Sequence, residues 1–80
     1  MIYPIYSVRD SLTGFRTVTI GENDAEAMRG FSHACIDKNS LMNSHPNDYT
    51  LYKLGELDSE SGEIIPCVPA HICAATDFVK

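Results

Sequence analysis

Four segments of the chain are rich in β-branched and aromatic residues, which favour the pleated backbone of a strand. They cover residues 2–9, 15–21, 49–57 and 63–68. Residues 10–14 join the first two segments and residues 58–62 join the last two, and both loops follow the pattern D-S-x-[S/T]-G. The glycine of each loop can take the left-handed conformation that closes such a turn. The pattern therefore predicts two β-hairpins. Pro4 should place the first strand at a sheet edge or leave its start unpaired.

Between the hairpins, residues 24–37 show the three- and four-residue spacing of apolar side chains that is typical of an amphipathic helix. Asn23 can cap the N-terminus of this helix, with Glu26 as its capping-box partner. The side chains expected to face the core are Ala27, Met28, Phe31, Ala34 and Cys35. The residues that follow, 38–48, are polar and rich in turn formers, so they predict a long connection to the second hairpin.

These elements predict an α+β fold in a single domain of residues 1–80, in the order β-β-α-β-β with a short C-terminal segment. We expect the two hairpins to form one antiparallel sheet, with the helix covering one of its faces. Residues 69–80 are expected to begin a short helix after Pro69. The strands carry apolar groups on both sides, so the face away from the helix should expose aromatic and aliphatic side chains and favour a partner.

Composition and charge restrict the class of partner. The chain has 80 residues, of which 44% are hydrophobic and 21% charged, and this is too apolar for a disordered protein. Eleven acidic residues against six basic ones give a net charge of −5, which disfavours strong non-specific binding to nucleic acid. We see neither a secretory signal nor a membrane span, and the cysteine count is odd. We therefore expect a protein of a reducing cytoplasm, whose thin core favours a homodimer.

Motifs for catalysis or cofactor binding are missing from the sequence, so we expect a binding protein that is not an enzyme and uses no cofactor. The Cys and His residues lack the usual spacings of a zinc site. On a helix, His33 and Cys35 would point in nearly opposite directions. We expect Cys35, Cys67 and Cys73 to be free thiols, with a metal- or redox-linked switch as the minor alternative.

Basic and aromatic residues interleave in the strands, as they do in proteins that bind single-stranded nucleic acid by stacking and phosphate contact. The predicted contact set consists of Tyr3, Tyr6, Arg9, Arg16 and Lys53. Arg9 and Arg16 are expected to face each other near the base of the first hairpin, close to Phe15, while Lys53 follows Tyr52. In the alternative interpretation, the tyrosines belong to the core or to a dimer interface and the arginines are ordinary surface charges.

Several stretches resemble the small nonstructural protein of gokushoviruses, bacteriophages of the Microviridae with circular single-stranded DNA genomes. They are Y-S-V-R-D-S-x-T-G-F, N-D-A-E-A-M-R-G-F, N-S-L-M-N-S-H-P-N-D-Y-T-L-Y-K-L-G-E-L-D, the D-S-E-S-G-E turn and I-I-P-C-V-P-A-H-I. Together these stretches cover nearly the whole chain in order.

The resemblance implies a phage-encoded protein that is made in the host bacterial cytoplasm and is absent from the virion. It implies DNA binding or assistance to single-stranded genome synthesis, but it identifies no site residue. A protein-interaction module that acts on a host replication factor or a phage assembly partner is the alternative function.

Overall fold

The computed structural model describes residues 1–79. Its strands are β1 (Ile2–Asp10), β2 (Gly14–Ile20), β3 (Tyr49–Asp58) and β4 (Ile64–Ala74). Its helices are α1 (Asp24–Ile36) and the single turn α2 (Leu41–Ser44). Two 3-10 turns, Pro46–Asp48 and Ala75–Asp77, precede β3 and follow β4. The predicted α+β class with four strands and one main helix is confirmed. The observed order of elements differs from the predicted β-β-α-β-β in that it also includes α2 and the two 3-10 turns.

Both hairpins form where the turn glycines predict them. Gly14 has φ of 85° and Gly62 has φ of 79°, a conformation that side chains with a Cβ rarely adopt. Asp10 and Asp58 open the two loops, and a side-chain oxygen of each accepts a hydrogen bond from the backbone N–H two residues later. The shared loop sequence thus produces the same aspartate turn twice.

The four strands form one antiparallel sheet in the order β2-β1-β3-β4. The first strand is therefore interior, and the alternative that placed it at an edge is wrong. Its start matches the other alternative on one side, because residues 2–4 pair with β3 but have no partner in β2. Pro4 is tolerated because its ring nitrogen points toward Gly21, just past the end of β2. Between Pro4 and Gly21 only one hydrogen bond forms, in which the Pro4 carbonyl accepts from the Gly21 N–H at 3.1 Å.

Bulges interrupt the register of all three strand pairs. One lies in β2 opposite Val8, and others lie where β3 pairs with β1 and with β4. Near the last of these, the backbones approach so closely that a Cβ on Gly55 would lie 2.5 Å from the carbonyl oxygen of Ile65. A bulge adds a residue to one strand, so it changes which side chains share a face of the sheet.

Helix α1 packs on one face of the sheet. The buried core there consists of Tyr6, Phe31, Cys35, Leu51, Cys73 and Ala75. Asn23 caps the helix as predicted, its side-chain oxygen accepting from the Glu26 N–H at 2.9 Å. The Glu26 carboxylate reaches back to the N–H of Glu22 rather than to that of Asn23, so the capping box closes one residue earlier than expected.

The C-terminal segment differs from the prediction of a helix after Pro69. Strand β4 continues through Pro69 to Ala74, and only the 3-10 turn follows. The first half of β3, Thr50–Lys53, offers backbone groups for Ala70–Ala74 to pair with, and this pairing overrides the local tendency of proline to start a helix. Phe78 then packs edge-to-face on Phe31, on the helix side of the sheet. The described part of the tail, up to Val79, leaves the opposite face uncovered.

Candidate nucleic-acid interface

The sheet face away from α1 is called the open face below. Its residues follow from the register, because directly opposed residues of antiparallel strands project from the same side. They are Tyr3, Ile5, Ser7 and Arg9 of β1, Phe15, Val18 and Ile20 of β2, Thr50, Tyr52, Gly55 and Leu57 of β3, and Ile64, Pro66, His71 and Ala74 of β4. The face therefore spans all four strands.

Three aromatic rings form a row across this face. The ring centroid of Tyr52 lies 5.4 Å from that of Phe15 and 5.9 Å from that of His71. The planes meet at 78° and 87°, so each contact is edge-to-face. Phe15 and His71 are exposed and Tyr52 is half-buried between them. The row, called the aromatic row, offers ring surface to a flat ligand.

The open face contains no carboxylate, although the chain carries a net charge of −5. Its one charged residue is Arg9, which is exposed and pairs across the strands with Phe15 and Thr50. The acidic side chains are placed elsewhere, mainly in the two turns and at the start of α1. An anionic ligand on the open face would therefore meet Arg9 without facing a carboxylate directly.

Tyr6 does not belong to the open face, and this corrects the predicted contact set. Its side chain is only 1% exposed and lies in the helix-side core. Its hydroxyl donates a hydrogen bond to the Asp24 carboxylate in the first turn of α1. Burial raises the pKa of Tyr6 well above its ordinary value, and the hydrogen bond to Asp24 and its negative charge raise it further. The ring cannot stack on a base without unfolding the core.

Arg16 and Lys53 also lie away from the open face. Arg16 lines a cavity between the sheet and α2, together with Val8 and Met42. The register pairs Lys53 with Tyr6, on the side of the sheet that α1 covers. The structure therefore separates Arg9 from Arg16, and the expectation that the two arginines face each other is wrong.

Tyr3 belongs to the open face by register but lies at its end. Its hydroxyl is 3.6 Å from the sulfur of Met1. The side chain borders a shallow cavity with Glu22 and Glu26. These carboxylates make the surroundings of Tyr3 less favourable for a phosphate than those of Arg9.

Phe15 and Tyr52 are neighbours of basic residues in the sequence, but the predicted contact set does not include them. His71 enters the sequence-based predictions only as one of the Cys and His residues that lack the spacing of a zinc site. His71 falls in the segment predicted to begin a short helix after Pro69, so no strand pattern pointed to it. The signal that could have identified Phe15 and Tyr52 is the aromatic ring at one position in each of two predicted strands. It could be used only with the register, which the sequence does not specify.

The cysteines are divided between core and surface. Cys35 and Cys73 are buried, and burial raises the pKa of both thiols. Cys67 is exposed, with its sulfur 3.7 Å from the Lys53 carbonyl oxygen. Within residues 1–79, no group of three His, Cys, Asp or Glu side chains is arranged to hold a metal ion. In the same range, no helix is both long and apolar enough to cross a membrane.

Comparisons with known proteins identify a family but not a site. No curated protein and no solved structure matches the chain. The model of the family described as Phage ORF5 protein matches residues 3–78, which include every helix and, apart from Ile2, every strand residue of the fold. The chain therefore belongs to the Phage ORF5 protein family.

Proposed function

We propose that this phage protein is a non-enzymatic accessory protein that binds single-stranded DNA on the open face of its sheet. The observation that carries the proposal is the aromatic row on a face with no carboxylate and with Arg9 beside it. The resemblance to gokushovirus nonstructural proteins supports a role in single-stranded genome synthesis in the host bacterial cytoplasm.

Stacking supplies most of the expected affinity. A base stacked on an aromatic side chain contributes about 1–3 kcal/mol. Because Phe15 and His71 stand steeply to Tyr52, one strand cannot lie flat on all three rings at once. We therefore expect one or two stacked bases for each protein chain. Such binding has little sequence preference, since every base has a flat aromatic surface.

Electrostatics contribute less than in a basic DNA-binding protein. For a single strand, the logarithm of the binding constant falls with the logarithm of salt concentration by about 0.7 for each neutralised phosphate. With Arg9 as the one cation on the open face, the salt dependence should be shallow. Arg16 and Lys53, placed on the other side, add little to it.

Fluorescence anisotropy with a labelled single-stranded oligonucleotide tests the proposal. Tyr52→Ala should weaken binding by about 5- to 150-fold, the equivalent of about 1–3 kcal/mol. Ile36→Ala is the matched control, since Ile36 is an exposed apolar residue on α1 and should leave binding unchanged. Unmodified protein that gives no anisotropy change at low salt, or a Tyr52→Ala variant that binds normally, would contradict the proposal.

A protein-interaction module remains the second candidate function, and the distal part of the second hairpin favours it. Residues 59–70 are all exposed, and they include Ile64, Ile65 and Val68, whose aliphatic side chains have no role in stacking. Exposed aliphatic groups of this kind are typical of protein interfaces. A purified phage or host replication protein that binds the chain, and is released by Ile64→Glu, would support this function, whereas a DNA-only response would count against it.

A further inference from the structure

The two edges of the sheet differ in how well they can accept another strand. The outer strand β4 contains Pro66, which pairs with Gly55, and Pro69, which lies in the irregular stretch that follows, and proline has no N–H to donate. The outer strand β2 contains no proline, and its last four residues, Thr17–Ile20, are β-branched. Natural proteins protect an exposed edge with prolines, charges or bulges. By this criterion β4 is protected and the C-terminal half of β2 is not.

The unpaired backbone groups of β2 can be assigned from the register. Gly21 donates to the Pro4 carbonyl at 3.1 Å, so this pair is of the hydrogen-bonded kind. Hydrogen-bonded pairs alternate with non-hydrogen-bonded pairs along an antiparallel ladder. Ile5 and Ile20 therefore form a non-hydrogen-bonded pair, and Tyr6 and Thr19 form the next hydrogen-bonded one. The N–H and C=O groups of Val18 and Ile20 therefore point away from β1, toward the free edge.

The side chains and charges at this edge suit a copy of the same strand. Val18 is 56% exposed and Ile20 is 49% exposed, and both lie on the open face. Strand β2 contains no carboxylate, and the nearest ones, Glu22 and Glu26, lie past its end beside Ile20. The repulsion between two chains of net charge −5 is therefore weaker along β2 than at the acidic turn of the second hairpin. Since the free groups of Val18 and Ile20 flank Thr19 symmetrically, the edge is complementary to itself.

We propose that β2 pairs antiparallel with β2 of a second copy, about a two-fold axis that passes between the two Thr19 residues. Val18 then lies opposite Ile20 of the second copy, and the two such pairs exchange about four backbone hydrogen bonds. Each Val18–Ile20 contact also buries aliphatic groups that are exposed in the single chain. The contact uses the same patch on both copies, so it closes as a dimer and does not extend into a fibre.

The dimer joins two four-stranded sheets into one continuous eight-stranded sheet. The two open faces become a single surface with two aromatic rows and two copies of Arg9, which would double the cations available to one strand of DNA. The pairing itself does not depend on DNA binding. Its test therefore measures association alone.

Sedimentation velocity over a wide range of protein concentration gives the first measurement. The unmodified protein should approach twice the 8.8 kDa of one chain as the concentration rises. Val18→Pro should shift the protein to a monomer, because proline removes an outward N–H while leaving the bonds to β1 in place. Val68→Pro is the matched control on the opposite edge, where Val68 is 87% exposed, and it should leave the dimer intact. Circular dichroism checks that both variants keep the fold.

Oxidative cross-linking gives the second measurement. Thr19 of the two copies would form a non-hydrogen-bonded pair, whose Cα atoms lie about 4.5 Å apart, within the range that a disulfide spans. Thr19→Cys, in a chain that also carries Cys67→Ser, should form a disulfide-linked dimer at a rate at least tenfold above that of Leu12→Cys. Leu12 is the control because it is highly exposed in the first turn and far from the axis.

A protein that stays monomeric at all concentrations would overturn the proposal. A dimer that survives Val18→Pro and does not cross-link faster through Thr19→Cys would overturn it as well, because such a dimer would use another surface. Neither result bears on the open face as a DNA site, which the Tyr52→Ala titration tests separately.

Discussion

The hydroxyl of Tyr6 donates a hydrogen bond to the carboxylate of Asp24, and this contact ties an interior strand of the sheet to the first turn of α1. Tyr6→Phe removes the bond and leaves the ring in the core. We expect a loss of about 1–2 kcal/mol in the free energy of unfolding, since hydrogen bonds to charged groups are among the stronger ones and Asp24 is partly hydrated. Urea denaturation measures the loss.

Tyr3→Phe is the control for that variant, because the Tyr3 hydroxyl reaches only the Met1 sulfur near the surface. It should change stability by about 0.5 kcal/mol or less. Tyr6→Phe should also bind oligonucleotides as the unmodified protein does. A large fall in DNA affinity with unchanged stability would show that Tyr6 is part of the interface and not of the core.

The two arginines of the first hairpin should respond differently to charge reversal. Arg9→Glu places a carboxylate beside the aromatic row, so we expect at least a tenfold loss of affinity for single-stranded DNA at low salt. Arg16→Glu changes the net charge by the same amount on the other side of the sheet and should cost less than threefold. Equal losses for the two variants, measured by anisotropy at one salt concentration, would mean that net charge and not the open face governs binding.

Gly55 is predicted to be the glycine least tolerant of a side chain. A Cβ there would lie 2.5 Å from the carbonyl oxygen of Ile65, so Gly55→Ala must push β3 and β4 apart. We expect a loss of about 1–3 kcal/mol in thermal or urea unfolding. Gly30→Ala is the matched control, because nothing lies within 4 Å of its added Cβ and alanine favours the helix. It should stabilise the protein by about 0.5–1 kcal/mol.

Stability should fall on the alkaline side. Burial raises the pKa of Cys73 from its ordinary 9.0 to about 11, and the charge of Asp77 adds to the effect. At a pH between these two pKa values, the Cys73 thiol loses its proton in the unfolded chain and keeps it in the folded chain. The unfolded state is therefore favoured progressively as pH rises. Burial shifts the pKa of Cys35 in the same direction. Denaturant titrations at several pH values above 8 measure the slope.

Cys73→Ala removes one of the two buried thiols. The free energy of unfolding of this variant should therefore fall less steeply with pH above 8, even if it is lower at neutral pH. Cys67→Ser, at an exposed position, should leave the slope unchanged. A slope that is the same in all three proteins would assign the alkaline loss to groups other than Cys73.

The features that the sequence predicts correctly are those with a local physical cause. Gly14 and Gly62 close the hairpins because their backbone conformation is nearly forbidden to other residues. Asn23 starts the helix because its side chain satisfies a free N–H of the first turn. Each needs only a few neighbouring residues, and each is found where the pattern places it.

The composition of the candidate site depends instead on the bulges. Val18 pairs with Ser7, and if that register continued, Arg16 would face Arg9 as the sequence suggested. The extra residue in β2 places Phe15 opposite Arg9 instead, and it turns the Arg16 side chain away from the open face. The extra residue in β3 has the same effect, since an unbroken register from Ile5 and Gly55 would have put Lys53 where Tyr52 lies.

The sequence by itself thus determined the turns, the capped helix, the class of fold and the acidic balance. Only the tertiary structure decided which ring and which charge face outward, because side chains alternate along a strand and a single extra residue reverses the alternation. The position of a bulge depends on the pairing of distant strands, which no local pattern of residues records.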